Sequence, residues 1–401
     1  MGKWMTDAME DLPGTRAIHG DVQSRAGAVV APIYQATTFA ASSNEEFLDA
    51  ATRSYSDEFY TRYGNPNHTQ VAEVMSALEG AEQAIVTASG MGAISTLALS
   101  LLSQGDHVVI QRTTYPGTTN LITNLLARFG ISSSYVDQIE TRSLGEAIRP
   151  ETRLVLLETP SNPLLGITDI RVFTEIAHQN GSIVAVDNTV ATPINQRPLS
   201  LGADLVWHSA TKYLGGHSDV SAGVIAGRGD LVEQIWRTHL AIGSVLGPID
   251  AWLLLRGIRT LDVRVARHNE NALALAVALE QHPEIIEVFY PGLATHPQHE
   301  LAATQMKGFG GLLSFTASGG AARADRVLDL LRLTTRAPSL GSVHSLATRP
   351  AAMWSDQRQY QSQVEDGVDA GLIRLSVGIE SKEDLLKDFV QALQLTAGNV
   401  D

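Results

Sequence analysis

The chain has 401 residues, 44% of them hydrophobic, and 43 Asp and Glu outnumber 29 Lys and Arg to give a formal net charge of −14. That is enough apolar material for two or three domains, and the acidic balance argues against sequence-independent nucleic-acid binding, which needs clustered Lys and Arg. There is no cysteine, which excludes disulfides, thiolate metal sites and cysteine nucleophiles and fits a reducing, cytoplasmic setting.

Along the chain, MGKWMTDAMEDLPGT carries several acids and no long apolar core, so it does not read as a signal peptide. The longest apolar stretches are well short of a membrane span. Residues 1–63 show no strong period and read as an extended arm. YTRYGNPNHT (60–69) marks a turn-rich entry, and VAEVMSALEG has a helical pattern. AIVTASG (84–90) running into GMGAISTLALSLL (90–102) predicts strand, turn and helix. DHVVI (106–110), RLVLLE (153–158), SIVAVDNT (182–189), DLVWHS (204–209) and SAGVIAG (221–227) are short, apolar and rich in Val and Ile. Such runs suit strands buried on both faces, and their spacing by helices implies a mostly parallel sheet. After about 255 the texture changes. HNENALALAVALEQ (268–281), RADRVLDLLR (323–332) and KEDLLKDFVQALQ (382–394) are amphipathic, and GGLLSFTA (310–317) and GLIRLSVG (371–378) read as strands between them. The predicted units are an arm (1–63), a cofactor-sized α/β domain (64–258) and a smaller C-terminal α/β domain (259–401).

Three features carry chemistry. Lys212, in SATKYLGGHSDV (209–220), follows the strand DLVWHS, and ligands of open α/β sheets bind at such carboxyl ends. A lone lysine there is usually a solvated charge, but Ser209 and Thr211 flank it with hydroxyls suited to a phosphate. Asp187 closes the apolar strand SIVAVDNT, where a buried carboxylate needs a partner or serves as a helix cap. A protonated pyridine nitrogen is one such partner. Ser89-Gly90-Met91-Gly92 sits at a strand-to-helix junction, whose free N–H groups can bind phosphate. It is not a Walker A loop, since no Gly-Lys-Ser/Thr follows. Together, a phosphate cradle, a carboxylate and a lysine at strand ends of one sheet suit a phosphorylated heteroaromatic aldehyde bound to an amine.

The chain also resembles the Cys/Met-metabolism enzymes that use pyridoxal 5'-phosphate (PLP), the transsulfuration group of cystathionine γ-synthase, cystathionine lyases and methionine γ-lyase. The matching stretches are YTRYGNP (60–66), ASGMGAI (88–94), ETPSNPLL (158–165), VDNTVATP (186–193), SATKYLGGHSDV (209–220), YPGL (290–293), GFGGLLSF (308–315), SLGSVHSL (339–346) and IRLSVGIE (373–380). The resemblance implies an aspartate aminotransferase-like α/β fold (fold type I) with a seven-stranded, mostly parallel sheet. It implies that Lys212 holds PLP as a Schiff base and shuttles protons, and that Asp187 pairs with the pyridine nitrogen. Gly90, Met91, Ser209 and Thr211 would hold the phosphate. Tyr60 and Arg62 would reach the neighbouring subunit's phosphate, in a homotetramer built as a dimer of dimers. Tyr115 would stack on the ring and assist the leaving group. Arg374 would clamp the substrate carboxylate as a two-pronged ion pair, with Ser339 and Asn162 positioning that carboxylate and the cofactor oxygen.

The implied reaction is elimination or replacement at Cγ of an L-amino acid of the cystathionine, methionine or homoserine type. Two alternatives stay open: β-elimination, as in cystathionine β-lyase, and γ-chemistry on an oxygen-linked substrate such as an acylated homoserine or canavanine. No metal, nucleic acid or membrane is implied. This sequence departs from the family's pattern near the substrate. Tyr115-Pro116-Gly117-Thr118 lacks the cysteine of methionine γ-lyases, His344 stands where a Glu is usual, and Trp354-Ser355 replaces the usual Thr-His.

Overall fold

The computed structural model describes residues 12–21, 27–353 and 368–397. Seven strands form the first sheet: β1 (Gln83–Thr87), β2 (His107–Gln111), β3 (Ser132–Val136), β4 (Thr152–Glu158), β5 (Ile183–Asp187), β6 (Leu205–Ser209) and β7 (Gly223–Gly227). Their spatial order is β1-β7-β6-β5-β4-β2-β3. The pairs from β6 to β3 are parallel, while β7 runs antiparallel to both its neighbours. The protein is therefore α/β with a mixed, mostly parallel sheet.

Burial on both faces explains why the central strands are unbroken apolar runs. On one face Leu154, Leu156, Ala185, Leu205 and Trp207 pack against Ile94 and Leu97 of the helix Gly90–Leu101 and Val232 and Ile235 of the helix Gly229–Ile242. On the other, Val155, Leu157, Val184 and Val186 pack against Phe173 and Ala177 of the helix Ile170–Gln179. Val206 and Val224 meet Val71, Val74 and Met75 of the helix Pro66–Glu79 there. Alternate residues thus point to opposite layers.

The second sheet has five strands: β8 (Ile285–Phe289), β9 (Leu312–Ala317), β10 (Thr335–Arg336), β11 (Leu346–Thr348) and β12 (Leu372–Ser376), ordered β10-β11-β12-β9-β8. Leu313, Phe315, Ile373 and Leu375 face the helices Leu261–Glu280, Gly320–Leu330 and Lys382–Leu395. The residues between them, Leu312, Ser314, Arg374 and Ser376, face the other way. Leu312 joins the core of the first sheet, and Ser314 donates 2.7 Å to the Pro163 carbonyl. The helix Leu261–Glu280 spans both cores, with Leu261 and Val265 in the first and Ala272 to Leu279 in the second. Position 258/259 falls in the joint between it and the helix Pro248–Ile258.

Several elements go beyond the sequence reading, the short strands β10 and β11 among them. The arm contains short helices at Pro13–His19 and Asn44–Thr52. Ser43 caps the second by accepting from Glu46 N, and Ala17 of the first is fully buried against the first core. β3 is SSSYV, an edge strand with no apolar run. Its Ser134 hydroxyl meets His107 Nε2 at 2.9 Å and receives Arg149 Nη2 at 3.0 Å instead. β8, at the other sheet's edge, is exposed at Glu287 and Ile286 and so lacks a clean buried face.

Candidate active site

The carboxyl ends of β4, β5 and β6 lie side by side, with Glu158 paired to Asp187 and Asp187 to Trp207. Asp187 shares the face of Trp207, toward the start of the helix Gly90–Leu101. Its Oδ1 accepts from Thr189 N at 2.9 Å, and Thr189 Oγ1 accepts from Ser209 N at 2.8 Å. Burial raises the Asp187 carboxyl above its usual range, against the pull of Thr189, His208 and Trp207. A cation placed at Asp187 would offset that cost.

Ser89 caps the helix Gly90–Leu101 by accepting from Gly92 N at 2.9 Å. The Gly90 and Met91 N–H groups belong to the first turn, which has no helical acceptors. The helix start is pressed on β6: a Cβ at Gly90 would lie 2.6 Å from Ser209 Cβ. Among the described residues Ser209 Oγ has no partner, whereas Thr211 Oγ1 engages the Ala222 backbone, accepting from its N at 3.1 Å.

Lys212 follows β6 in a turn closed by its own N–H to the Ser209 carbonyl. Its Nζ donates 2.7 Å to Ser339 Oγ. Ser339 has φ 84°, a strained position for a residue with a Cβ. Its carbonyl is held by Arg374 Nη2 at 2.8 Å. Arg374, 6% exposed on β12, has a buried Nε with no acceptor among the described residues. Burial first, and the Arg374 charge second, lower the Lys212 ammonium to about 8. Burial likewise lowers Arg374 to about 10. The two sheets thus bring together an amine and a guanidinium whose Nε has no acceptor among the described residues.

Tyr115 opens the helix Pro116–Asn120 and is 50% exposed. Pro116 takes the first helical position, where a missing N–H costs nothing. Gly117 packs closely here: a Cβ would press on the Tyr115 ring and the Met91 thioether, and both would have to shift. Asn162 precedes one of two cis prolines, and its N–H reaches Glu158 Oε1 at 3.2 Å.

Of the residues singled out in the sequence, the structure gathers Lys212, Ser339 and Arg374 in one chain of contacts. Asp187, Ser209 and Gly90 are linked through Thr189 and the helix start, and Tyr115, Met91 and Asn162 adjoin them. Tyr60 and Arg62 stand apart. Arg62 is exposed, donates 3.1 Å to the Leu240 carbonyl and lies 5.1 Å over the Tyr63 ring, and Tyr60 bridges Thr38. His344 is exposed in the segment between β10 and β11. Trp354 and Ser355 lie outside the described residues. The sequence reading missed Glu158, although the signal matched that of Asp187: a carboxylate closing an apolar strand.

PLP offers an aldehyde, a basic ring nitrogen and a phosphate. The residues fit it: a half-buried amine near neutrality, a desolvated carboxylate at the next strand end, and a helix start that a single Cβ would fill.

The family model of Cys/Met metabolism PLP-dependent enzymes matches residues 14–394. A cystathionine gamma-lyase of Bacillus subtilis (strain 168) is 44% identical over 383 residues, covering 95% of this chain and 98% of its own. An L-methionine gamma-lyase of Fusobacterium nucleatum subsp. polymorphum is 42% identical over 385 residues, with 95% and 98% covered. The crystal structure of cystathionine gamma synthase from Xanthomonas oryzae pv. oryzae, in complex with aminoacrylate and cysteine, superposes with a TM-score of 0.92 at 40% identity, covering 97% of this chain and 100% of that one. With lysine, carboxylate and helix start in place and the match running nearly end to end, the chain belongs to the Cys/Met-metabolism family of PLP-dependent enzymes.

Proposed function

We propose that the protein catalyses PLP-dependent elimination or replacement at Cγ of a small L-amino acid. The observation that carries this is the contact chain Lys212–Ser339–Arg374, which sets a carboxylate clamp beside a proton-moving amine. When bound, PLP supplies an electron sink for negative charge at Cα. Lys212 anchors the cofactor and moves the protons at Cα and Cβ. Asp187 keeps the pyridine nitrogen protonated, and the helix start with Gly90, Met91, Ser209 and Thr211 holds the phosphate. Arg374 binds the substrate carboxylate through Nε and a terminal nitrogen, with Ser339 and Asn162 fixing its orientation. Tyr115 covers the site and gives the departing group at Cγ a proton.

The proposed organisation is an arm (1–63), a PLP domain (64–258) and a C-terminal domain (259–401), assembled as a cytoplasmic homotetramer of two site-sharing dimers. The exposed Tyr60 and Arg62, engaged away from their own Lys212, support a role toward a neighbour's phosphate. Among the described residues no helix is long and apolar enough to cross a membrane.

The preferred substrate in this reading is an oxygen-linked, homoserine-type amino acid rather than cystathionine. Its support is local: His344 offers no fixed carboxylate to a distal ammonium, and Pro116 removes a backbone donor after Tyr115. A panel of cystathionine, methionine, homocysteine, O-acyl homoserines and canavanine tests both levels, with keto acid, ammonia and leaving group quantified. Turnover of none removes the reaction. Fastest turnover of cystathionine, with a ratio unmoved by His344→Glu, removes the substrate preference.

A further inference from the structure

Glu158 is a buried carboxyl that the proposed chemistry leaves unused. It closes β4 at 5% exposure and pairs in register with Asp187, so both carboxyls point to the same face of neighbouring strand ends. Its own N–H is pinned to Gln111 Oε1 at 2.6 Å, which fixes the strand end. Oε2 accepts from Tyr115 N at 2.7 Å and Thr114 Oγ1 at 3.0 Å, and Oε1 accepts from Asn162 N at 3.2 Å. No cation pairs with it among the described residues. A buried carboxyl without a cation is costly, and here burial first and Asp187 second push it upward against three donors. Those donors belong to the two loops that carry Tyr115 and Asn162.

We propose that Glu158 is a positioning residue: its two oxygens hold the Tyr115 loop and the Asn162 loop at a fixed offset from Asp187, and so set the Tyr115 ring against the bound cofactor. The inference rests on the PLP reading. Glu158→Gln preserves size but turns one acceptor into an NH₂ donor that must face either Tyr115 N–H or Asn162 N–H. Glu158→Asp keeps both acceptors and withdraws them by one methylene. Neither change touches Arg374.

The test uses the holoenzyme at saturating PLP. Visible circular dichroism of the cofactor band reports ring placement, steady-state kinetics separate kcat from KM, and thermal unfolding monitors the fold. For a folded Glu158→Gln, the visible dichroism should change in amplitude or sign. At the same time kcat should fall by about 10-fold or more and by more than KM rises, because geometry at the reacting centre is lost while the Arg374 contact to the carboxylate is kept and only the Asn162 contact is shifted. If that variant does not fold, Glu158→Asp carries the same expectation. Wild-type dichroism and kcat in a folded variant, with only a lowered unfolding temperature, would overturn the proposal and leave the PLP reading intact. A wild-type protein with no visible cofactor band would overturn both.

Discussion

The depressed Lys212 can be tested without turnover, through the pH at which the apoprotein captures PLP. Only the neutral amine attacks an aldehyde. A lysine at its ordinary 10.5 is neutral in about 3 molecules in 10,000 at pH 7, while one at about 8 is neutral in about 1 in 10, a gain of roughly 300-fold. The direction follows from desolvation and a neighbouring cation, both of which penalise the charged form. Capture, followed as borohydride-fixed label on the Lys212 peptide between pH 7 and 10, should therefore rise and level off with a midpoint near 8. This window lies above the second phosphate pKa of about 6, so the phosphate of PLP holds a constant charge; the ring nitrogen titrates within the window, and dividing each rate by that of a small model amine removes its contribution. Burial is the larger cause and Arg374 the smaller. Arg374→Met should thus move the midpoint upward yet leave it below 10.5, and Arg374→Lys should move it less. A rate that climbs without a plateau past pH 10 in wild type would show an ordinary solvated lysine and refute the reasoning. So would label on any other lysine.

Gly90→Ala should weaken PLP retention by about 10-fold or more, because its Cβ would sit 2.6 Å from Ser209 Cβ and prise the helix start off β6. Gly145→Ala, with nothing within 4 Å, is the control that should leave retention unchanged. Arg62→Ala and Lys212→Ala should each be nearly inactive. After mixing and reassociation about a quarter of wild-type activity should return, since half of randomly formed dimers are hybrids and each has one intact site. No rescue in verified hybrids would place Arg62 in its own chain's site.

Most of the first sheet was legible because its strands are buried on both faces, so that VVI, VLL and VAV survive as unbroken apolar runs. The edges were not. β3 spends serines on hydrogen bonds to His107 and Arg149, and β8 alternates imperfectly because part of it is exposed. Lys212 and Asp187 could be placed from the strands they close, since strand direction in a parallel sheet puts both at one end. The inward aim of Arg374 could be placed only with the second sheet in hand. Alternation along β12 says which residues share its face, and only the packing of Ile373 and Leu375 on the helices says that this face is turned to Lys212. Glu158 was overlooked because its three partners come from two loops whose paths no local pattern predicts.

The pairing of two cations in one cleft explains why the amine and the clamp are neighbours at all. Lys212 and Arg374 are both desolvated, and both titrate lower than in water. Such a pair lowers stability, and it persists because large cores on both sheets outweigh the cost. The repulsion is also directional. Arg374 holds the Lys212 amine toward its neutral form while the clamp is empty. In the proposed mechanism a substrate carboxylate docking on Arg374 would offset the smaller of the two causes that depress Lys212, and the amine would become a stronger base when the Cα proton must be taken. An amine substrate lacking the carboxylate binds without that gain, so it should lose kcat as well as affinity. A clamp acting by position alone would cost such a substrate only KM. Comparing a γ-substituted L-amino acid with its decarboxylated amine separates the two. A decarboxylated amine with raised KM and unchanged kcat would show that Arg374 only holds the substrate and leaves the Lys212 proton transfer untouched.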